Sequence, residues 1–332
     1  MNPTPLLAVL LAATAAAQAP APKSAPPPSN ASLPVPDAPA APAAAPQLPQ
    51  KLKLLVSAQV LLDRANFPPG VIDGTPGSNF GKAVMAYKAA NKLPVTPAID
   101  QAFVDRLAKA DPKPILARYT ITEEDVAGPF EPKSSKYTVL AERKKLGWSS
   151  PLEGIAEKFH ADEAFLKRLN PGRDFAKAGE EIVVPAVGRQ KLPAQVAKVE
   201  VRKKSEQVLA FGADGTLLAV YPGTIGGGDL PSPEGTVEVT GVTFSPVYTY
   251  DPERLTDKRQ GLKKLELPGG PNNPVGIVWI GLNKPTYGIH GTPEPKLIGK
   301  RQSHGCVRLT NWDAWQLGKS IDKGAVVSFV DA

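Results

Sequence analysis

The chain has 332 residues with 42% hydrophobic content and 21% charged, enough for two or three packed domains and too apolar for a wholly disordered protein. Net charge is +7, with pI about 9.3, and no basic run interleaved with aromatics, which points away from nucleic acid and leaves an anionic membrane, an acidic polymer or simply a surface of solvated lysines. A single cysteine excludes an internal disulfide.

Residues 6–17 form an apolar run too short to span a bilayer, followed by small residues around Ala17-Gln18-Ala19. This pattern predicts a secretory signal peptide over 1–19, so the expected location is the periplasm or cell wall. Residues 20–49 are rich in Ala and Pro and nearly uncharged, a composition that makes an extended spacer. No later run reads as a membrane span.

Residues 50–112 carry helical spacing at Leu54, Leu55, Ala58, Leu61 and Leu62, and again at Ala83, Val84, Tyr87 and Ala90, with a third helix from Ile99. The order helix, Gly70-Val71-Ile72-Asp73-Gly74 turn, helix, Leu93-Pro94-Val95-Thr96 loop, helix resembles a peptidoglycan-binding module of three short helices. Residues 134–187 are expected to run strand, helix, helix, strand. Tyr137-Thr138-Val139 reads as the opening strand, and 150–159 and 162–169 as helices. Asn170-Pro171-Gly172 reads as the stop, and Glu181 to Pro185 as the closing strand. That β-α-α-β order is similar to a LysM glycan-binding domain.

From residue 195 the apolar period becomes two: 196–201, 207–211, 217–221, 237–242, 275–280 and 326–330 read as strands of a mostly β sandwich or barrel. Residues 245–273 are a long charged Pro/Gly-rich segment suited to a mobile flap. Thr310 and Asp313 mark the start of a helix near the end of the chain.

The chemistry concentrates at Tyr287-Gly288-Ile289-His290-Gly291-Thr292 and Ser303-His304-Gly305-Cys306-Val307-Arg308, which hold the only cysteine and two of the three histidines. A thiolate is a strong nucleophile when a neighbouring imidazole takes its proton, and glycines beside it let backbone N–H groups approach a substrate. Cys306 is thus the candidate nucleophile and His290 the candidate base, with His304 a rival. The N–H groups of His304, Gly305 and Cys306 could form an oxyanion hole. Arg308 is a fork for a substrate carboxylate, while Tyr287, Thr292 and Ser303 could line a cleft. A zinc site built from His290, His304 and Cys306 would lack the paired ligands that structural zinc sites use.

His290-Gly291-Thr292 with Ser303-His304-Gly305-Cys306-Val307-Arg308 resembles the signature of the L,D-transpeptidase catalytic domain, here over 195–332. The resemblance implies that the Gly291 carbonyl orients His290 and that Cys306 forms a thioester with a peptidoglycan tetrapeptide stem. It further implies release of the terminal D-alanine, then 3→3 cross-linking or attachment of a protein to the wall, with no cofactor or metal. A carboxypeptidase or endopeptidase using water, and a non-catalytic wall-binding protein, remain the alternatives.

Overall fold

The computed structural model describes residues 48–188, 191–226, 232–253, 263–300 and 305–332. The expected signal peptide and nearly all of the spacer lie outside the described residues.

The first unit is α1 (Gln50–Arg64), α2 (Ser78–Ala90) and α3 (Gln101–Ala110). The Asp100 carboxylate accepts the Phe103 N–H at 2.8 Å and so starts α3. Leu55, Ala58, Leu61 and Leu62 of α1 meet Phe80, Ala83, Val84 and Tyr87 of α2 and Phe103, Val104 and Leu107 of α3. Lys88 turns inward and donates to the carbonyls of Thr96 (3.1 Å) and Ala98 (2.6 Å), pinning the loop between α2 and α3. The same core takes in Leu209 and Val220 from the sheet downstream. The helical unit is therefore seated on the sheet, each such buried aliphatic contributing about 1.5–3 kcal/mol.

The second unit begins at β1 (Leu116–Thr120), then α4 (Glu123–Val126), α5 (Tyr137–Ala141), α6 (Pro151–Lys158), α7 (Glu163–Leu169) and β2 (Glu181–Pro185). Tyr137-Thr138-Val139, expected as a strand, is helical. The antiparallel partner of β2 is β1, with Leu116 opposite Pro185 and Thr120 opposite Glu181. Three residues of alternation are too few to fix a strand. The Tyr137 ring packs instead edge-on against Tyr250 at 5.2 Å, in a satellite core with Leu140, Leu146 and Leu267. The residues between β1 and α6 thus form a long insertion in the βααβ order. Ser150 caps α6 by accepting the Glu153 N–H at 3.1 Å, and Pro151 sits in its first turn. Asn170 ends α7 and ties it to β2, donating to Val183 O at 2.7 Å and accepting from Val183 N at 2.6 Å.

The third unit contains β3 (Val196–Arg202), β4 (Gln207–Phe211), β5 (Leu217–Pro222), β6 (Gly235–Phe244), β7 (Tyr248–Tyr250), β8 (Leu265–Leu267), β9 (Val278–Leu282), β10 (Gly288–His290), β11 (Val307–Arg308), α8 (Asn311–Gly318) and β12 (Ile321–Val330). Eight strands form one mixed sheet in the order β11-β10-β9-β6-β12-β3-β4-β5, while β7 and β8 pair alone. The described parts of the expected flap, residues 245–273, thus contain an antiparallel strand pair. The sheet curls until its edges meet: Thr224, just past β5, exchanges two backbone hydrogen bonds of 2.9 Å with Arg308 of β11. That closure gives the mostly β, barrel-like body expected from the sequence. Its core is filled by α8 through Trp312, Ala314, Trp315 and Leu317, packed on Val199, Val208, Ile280, Ile289 and Val307. The strand expected over 275–280 starts later, at Val278. Val275 N–H is taken by the Asn273 side chain (2.9 Å) and Ile277 N–H by that of Asn311 (3.2 Å).

Candidate active site

The site is built on three strands at the closing edge of the sheet. In β10, Ile289 points into the core, so Gly288 and His290 face away from it. β11 pairs with β10 in parallel, Ile289 opposite Val307 and His290 opposite Arg308. One step back, the same register sets Cys306 beside Gly288. His290, Cys306 and Arg308 thus leave the sheet on one face. On the far side of His290 lies Trp279 of β9, its indole stacked on the imidazole at 5.6 Å and 20°. The indole also covers Gly288, where a Cβ would fall 2.6 Å from it. Glycine is required there because the indole occupies the space a side chain would need.

His290 is only 3% exposed, and its Nδ1 lies 2.6 Å from the Gly291 carbonyl. Nδ1–H donates to that oxygen, which leaves the Nε2 lone pair free to accept a proton. Burial, reinforced by the Arg308 guanidinium and opposed by the Gly291 carbonyl, pushes the imidazole pKa down to about 3. Cys306 is half-buried, with Sγ 3.5 Å from the Thr286 carbonyl. Burial raises its thiol, against the opposing pulls of the Gly288 backbone N–H and Arg308. Both charged forms are disfavoured, so the resting pair is neutral thiol and neutral imidazole. This differs from a standing thiolate–imidazolium pair: dry surroundings hold the base unprotonated until a proton is delivered to it.

The remaining sequence candidates occupy different settings. Gly305 has φ +100, in the left-handed region that glycine adopts freely. Its carbonyl accepts from the buried Ser232 hydroxyl at 2.9 Å, and that hydroxyl accepts from Gly226 N–H at 2.9 Å. Arg308 has a buried Nε with no hydrogen-bond partner among the described residues. Tyr287 packs half-buried on the core, with the Lys284 ammonium 5.0 Å from its ring. Thr292 is buried and its hydroxyl accepts the Glu294 N–H at 3.2 Å, a turn contact. Ser303 and His304 lie outside the described residues, and with them one proposed oxyanion donor and the rival base. Among the described residues, no three His, Cys, Asp or Glu side chains are grouped to share a metal ion.

Sequence reasoning missed several parts of the site. Thr286 is one: a β-branched residue at φ +69, whose strained turn precedes β10 and aims its carbonyl at the thiol. Trp279 and Ser232 are others, since each reaches the site only through strand pairing or loop closure. Asn311 is fully buried. Its Oδ1 accepts the Ile277 N–H, and its Nδ2 donates to Pro271 O and to both oxygens of Glu157, each at 3.1 Å.

A family model of the L,D-transpeptidase catalytic domain matches residues 197–328. The putative L,D-transpeptidase YkuD of Bacillus licheniformis is 28% identical over 180 residues, 53% of this chain and 92% of that protein. The putative L,D-transpeptidase YqjB of Bacillus subtilis is 33% identical over 151 residues, 44% of this chain and 77% of that protein. The probable L,D-transpeptidase YbiS of Escherichia coli is 32% identical over 192 residues, 56% of this chain, which spans only 61% of that relative.

Proposed function

The chain belongs to the L,D-transpeptidase catalytic-domain family, and from that premise we propose that it is a cysteine-dependent L,D-transpeptidase acting on peptidoglycan stems outside the cytoplasm. The observation that carries the reading is the strand register that sets Cys306, His290 and Arg308 on one face, with His290 Nδ1 committed to the Gly291 carbonyl.

Cys306 Sγ attacks the carbonyl of the third stem residue while His290 Nε2 takes the thiol proton. Because the resting pair is neutral, proton transfer accompanies attack. The N–H groups of Gly305, Cys306 and His304 hold the oxyanion; losing one such donor costs ~100–1,000-fold. His290 then protonates the departing D-alanine amine, leaving a thioester. An amine of a second stem, or of a wall-anchored protein, resolves it into a 3→3 cross-link or an attachment. Arg308, whose buried Nε has no hydrogen-bond partner among the described residues, receives a stem carboxylate. Water in place of the amine gives the carboxypeptidase or endopeptidase alternative by the same thioester. The two upstream units are proposed to bind the wall. No cofactor enters the reaction.

The test is mass spectrometry of a disaccharide-tetrapeptide incubated with wild type and with Cys306→Ala. Loss of one alanine with a new dimer in wild type alone is the expected result. Loss of alanine without a dimer moves the assignment to the carboxypeptidase, and no reaction by wild type overturns the enzymatic reading. A carbapenem is expected to add to Cys306 in wild type and not in Cys306→Ala, read as intact mass.

A further inference from the structure

The segments flanking the two motifs take several contacts from the upstream units. Lys133 Nζ donates to Pro293 O at 2.8 Å, Lys296 pairs with Asp162 at 2.5 Å, and Asn79 of α2 donates to Ile298 O at 2.9 Å. Asn272, just before the strand that carries Trp279, donates to Gly147 O at 2.9 Å and to Glu153 at 3.1 Å. His160 stacks on Trp312 at 5.1 Å and 9°.

The deepest of these contacts is Glu157 of α6, 3% exposed, with both oxygens 3.1 Å from Asn311 Nδ2. Asn311 sits directly behind the histidine's support. Its Oδ1 would lie 2.3 Å from a Cβ on Gly291 and 2.1 Å from one on Gly276, so both glycines are pressed against the amide. Gly291 N–H in turn bonds Val278 O at 3.2 Å, and Gly291 O receives His290 Nδ1. An Asn amide has two ends: the Ile277 N–H holds its oxygen at 3.2 Å, and on the nitrogen Pro271 O shares the donor with a side-chain acceptor, each at 3.1 Å. Glu157 supplies that acceptor from 154 residues upstream.

We propose that Glu157 is a positioning residue for His290: through Asn311 it fixes Gly291 and hence the ring orientation and tautomer of the catalytic base, so that the βααβ unit is part of the catalytic scaffold as well as a candidate wall binder. The inference rests on the transpeptidase reading for its substrate, not for its geometry. Glu157 also lines a cavity of about 140 Å³ with Glu153, Lys133, Glu163, Glu294 and Lys296. Glu163 lines the same cavity and supplies a control on a different helix, α7.

The experiment uses the full chain as wild type, Glu157→Ala, Glu157→Gln, Glu157→Asp and Glu163→Ala. Two readouts are taken: iodoacetamide alkylation of Cys306 at pH 7, and kcat against KM on the tetrapeptide. A misplaced base lowers kcat by about 10–100-fold with KM little changed, and slows alkylation in parallel. Glu157→Gln keeps an acceptor oxygen for Asn311 and is expected to restore both rates. Glu157→Asp withdraws the carboxyl by one methylene and is expected to fall between, which keeps the test open if the alanine variant does not fold. Glu163→Ala is expected to behave as wild type. Wild-type rates in Glu157→Asp and Glu157→Ala overturn the proposal, as does a loss in Glu157→Gln as large as in Glu157→Asp. If wild type leaves the stem untouched, the transpeptidase reading fails, and the alkylation rates still decide the role of Glu157.

Discussion

His290 and Cys306 leave adjacent strands on the same face, yet the two are held in opposite ways. His290 is buried between the Trp279 indole and a relay of Gly291, Asn311 and Glu157 that draws on three distant parts of the chain. Cys306 precedes a two-residue edge strand and is half-exposed, with the Thr286 carbonyl beside its sulfur and Gly305 tied to Ser232. The proposed base is enclosed at the cost of its charged form, while the proposed nucleophile keeps partial exposure. A general base needs a fixed lone pair, which packing supplies. A nucleophile needs access, which the partial exposure of Cys306 supplies.

The largest expected effect comes from removing the enclosed side. His290→Ala should slow carbapenem acylation of Cys306 by about 10²–10⁴-fold, the usual worth of a positioned base, measured by intact mass against time. A rate within about twofold of wild type would remove His290 from the mechanism and turn attention to His304.

Gly288→Ala attacks the boundary between the two sides, since its Cβ would lie 2.6 Å from the Trp279 ring. Overpacking of this kind costs about 1–3 kcal/mol, so melting temperature and acylation should fall together. Activity unchanged with a lowered melting temperature would show that the Trp279–His290 stack serves folding alone.

The enclosed side also predicts how stability varies with pH. His290 titrates near 3 when folded, against an ordinary 6.5, so the unfolded chain binds the extra proton and stability falls as pH drops from 6.5 toward 3. Glu157 is pushed up to about 8 by burial, against an ordinary 4.5. It is therefore protonated in the folded chain and ionised in the unfolded one, and stability falls as pH rises from 4.5 toward 8. The opposing slopes, each up to about 1.4 kcal/mol per pH unit, offset between 4.5 and 6.5. Salt-bridged Asp125, Glu153 and Asp162, all depressed, add to the acid loss, and buried Asp313, raised, adds to the alkaline one. A melting-temperature plateau with a fall on each side is expected, and Glu157→Gln should flatten the alkaline limb. An alkaline limb identical in Glu157→Gln would show that Glu157 is ionised in the folded chain.

The smallest effect concerns the open side. Ser232→Ala removes the donor to Gly305 O and the acceptor for Gly226 N–H, costing about 1–3 kcal/mol locally. A modest slowing of acylation, with the global melting temperature shifted by only a few degrees, is the expected result. No change in either would mean that the Gly305 turn keeps its shape without Ser232.

The strands from Val196 to Tyr221 and near the end of the chain were legible because each buries one face, and a period of two survives in the residues that do so. The helices of the first unit were legible for the same reason at a period of 3.6. The opening strand of the βααβ unit was not: Tyr137-Thr138-Val139 alternates as well as Leu116-Ala117-Arg118-Tyr119 does. Only pairing with β2 selects between them, and the Tyr137 ring is needed elsewhere. At the site, residue type and close sequence spacing singled out His290 and Cys306, because here both lie in one short stretch of chain. The strand that carries His290 is three residues long and the one that Cys306 precedes is two, too short to show a pattern.

By itself, then, the sequence determined the chemistry: one thiol, histidines close to it, and glycines where backbone must approach. Only the tertiary structure decided which atoms of those groups are usable. The parallel register of β10 and β11 put thiol and imidazole on one face. Burial set the resting pair neutral. Contacts from Glu157, Lys133 and Asp162, all more than 120 residues upstream, fixed the segments between the motifs. Such contacts depend on which surfaces meet when the units close on one another, and no local pattern encodes that.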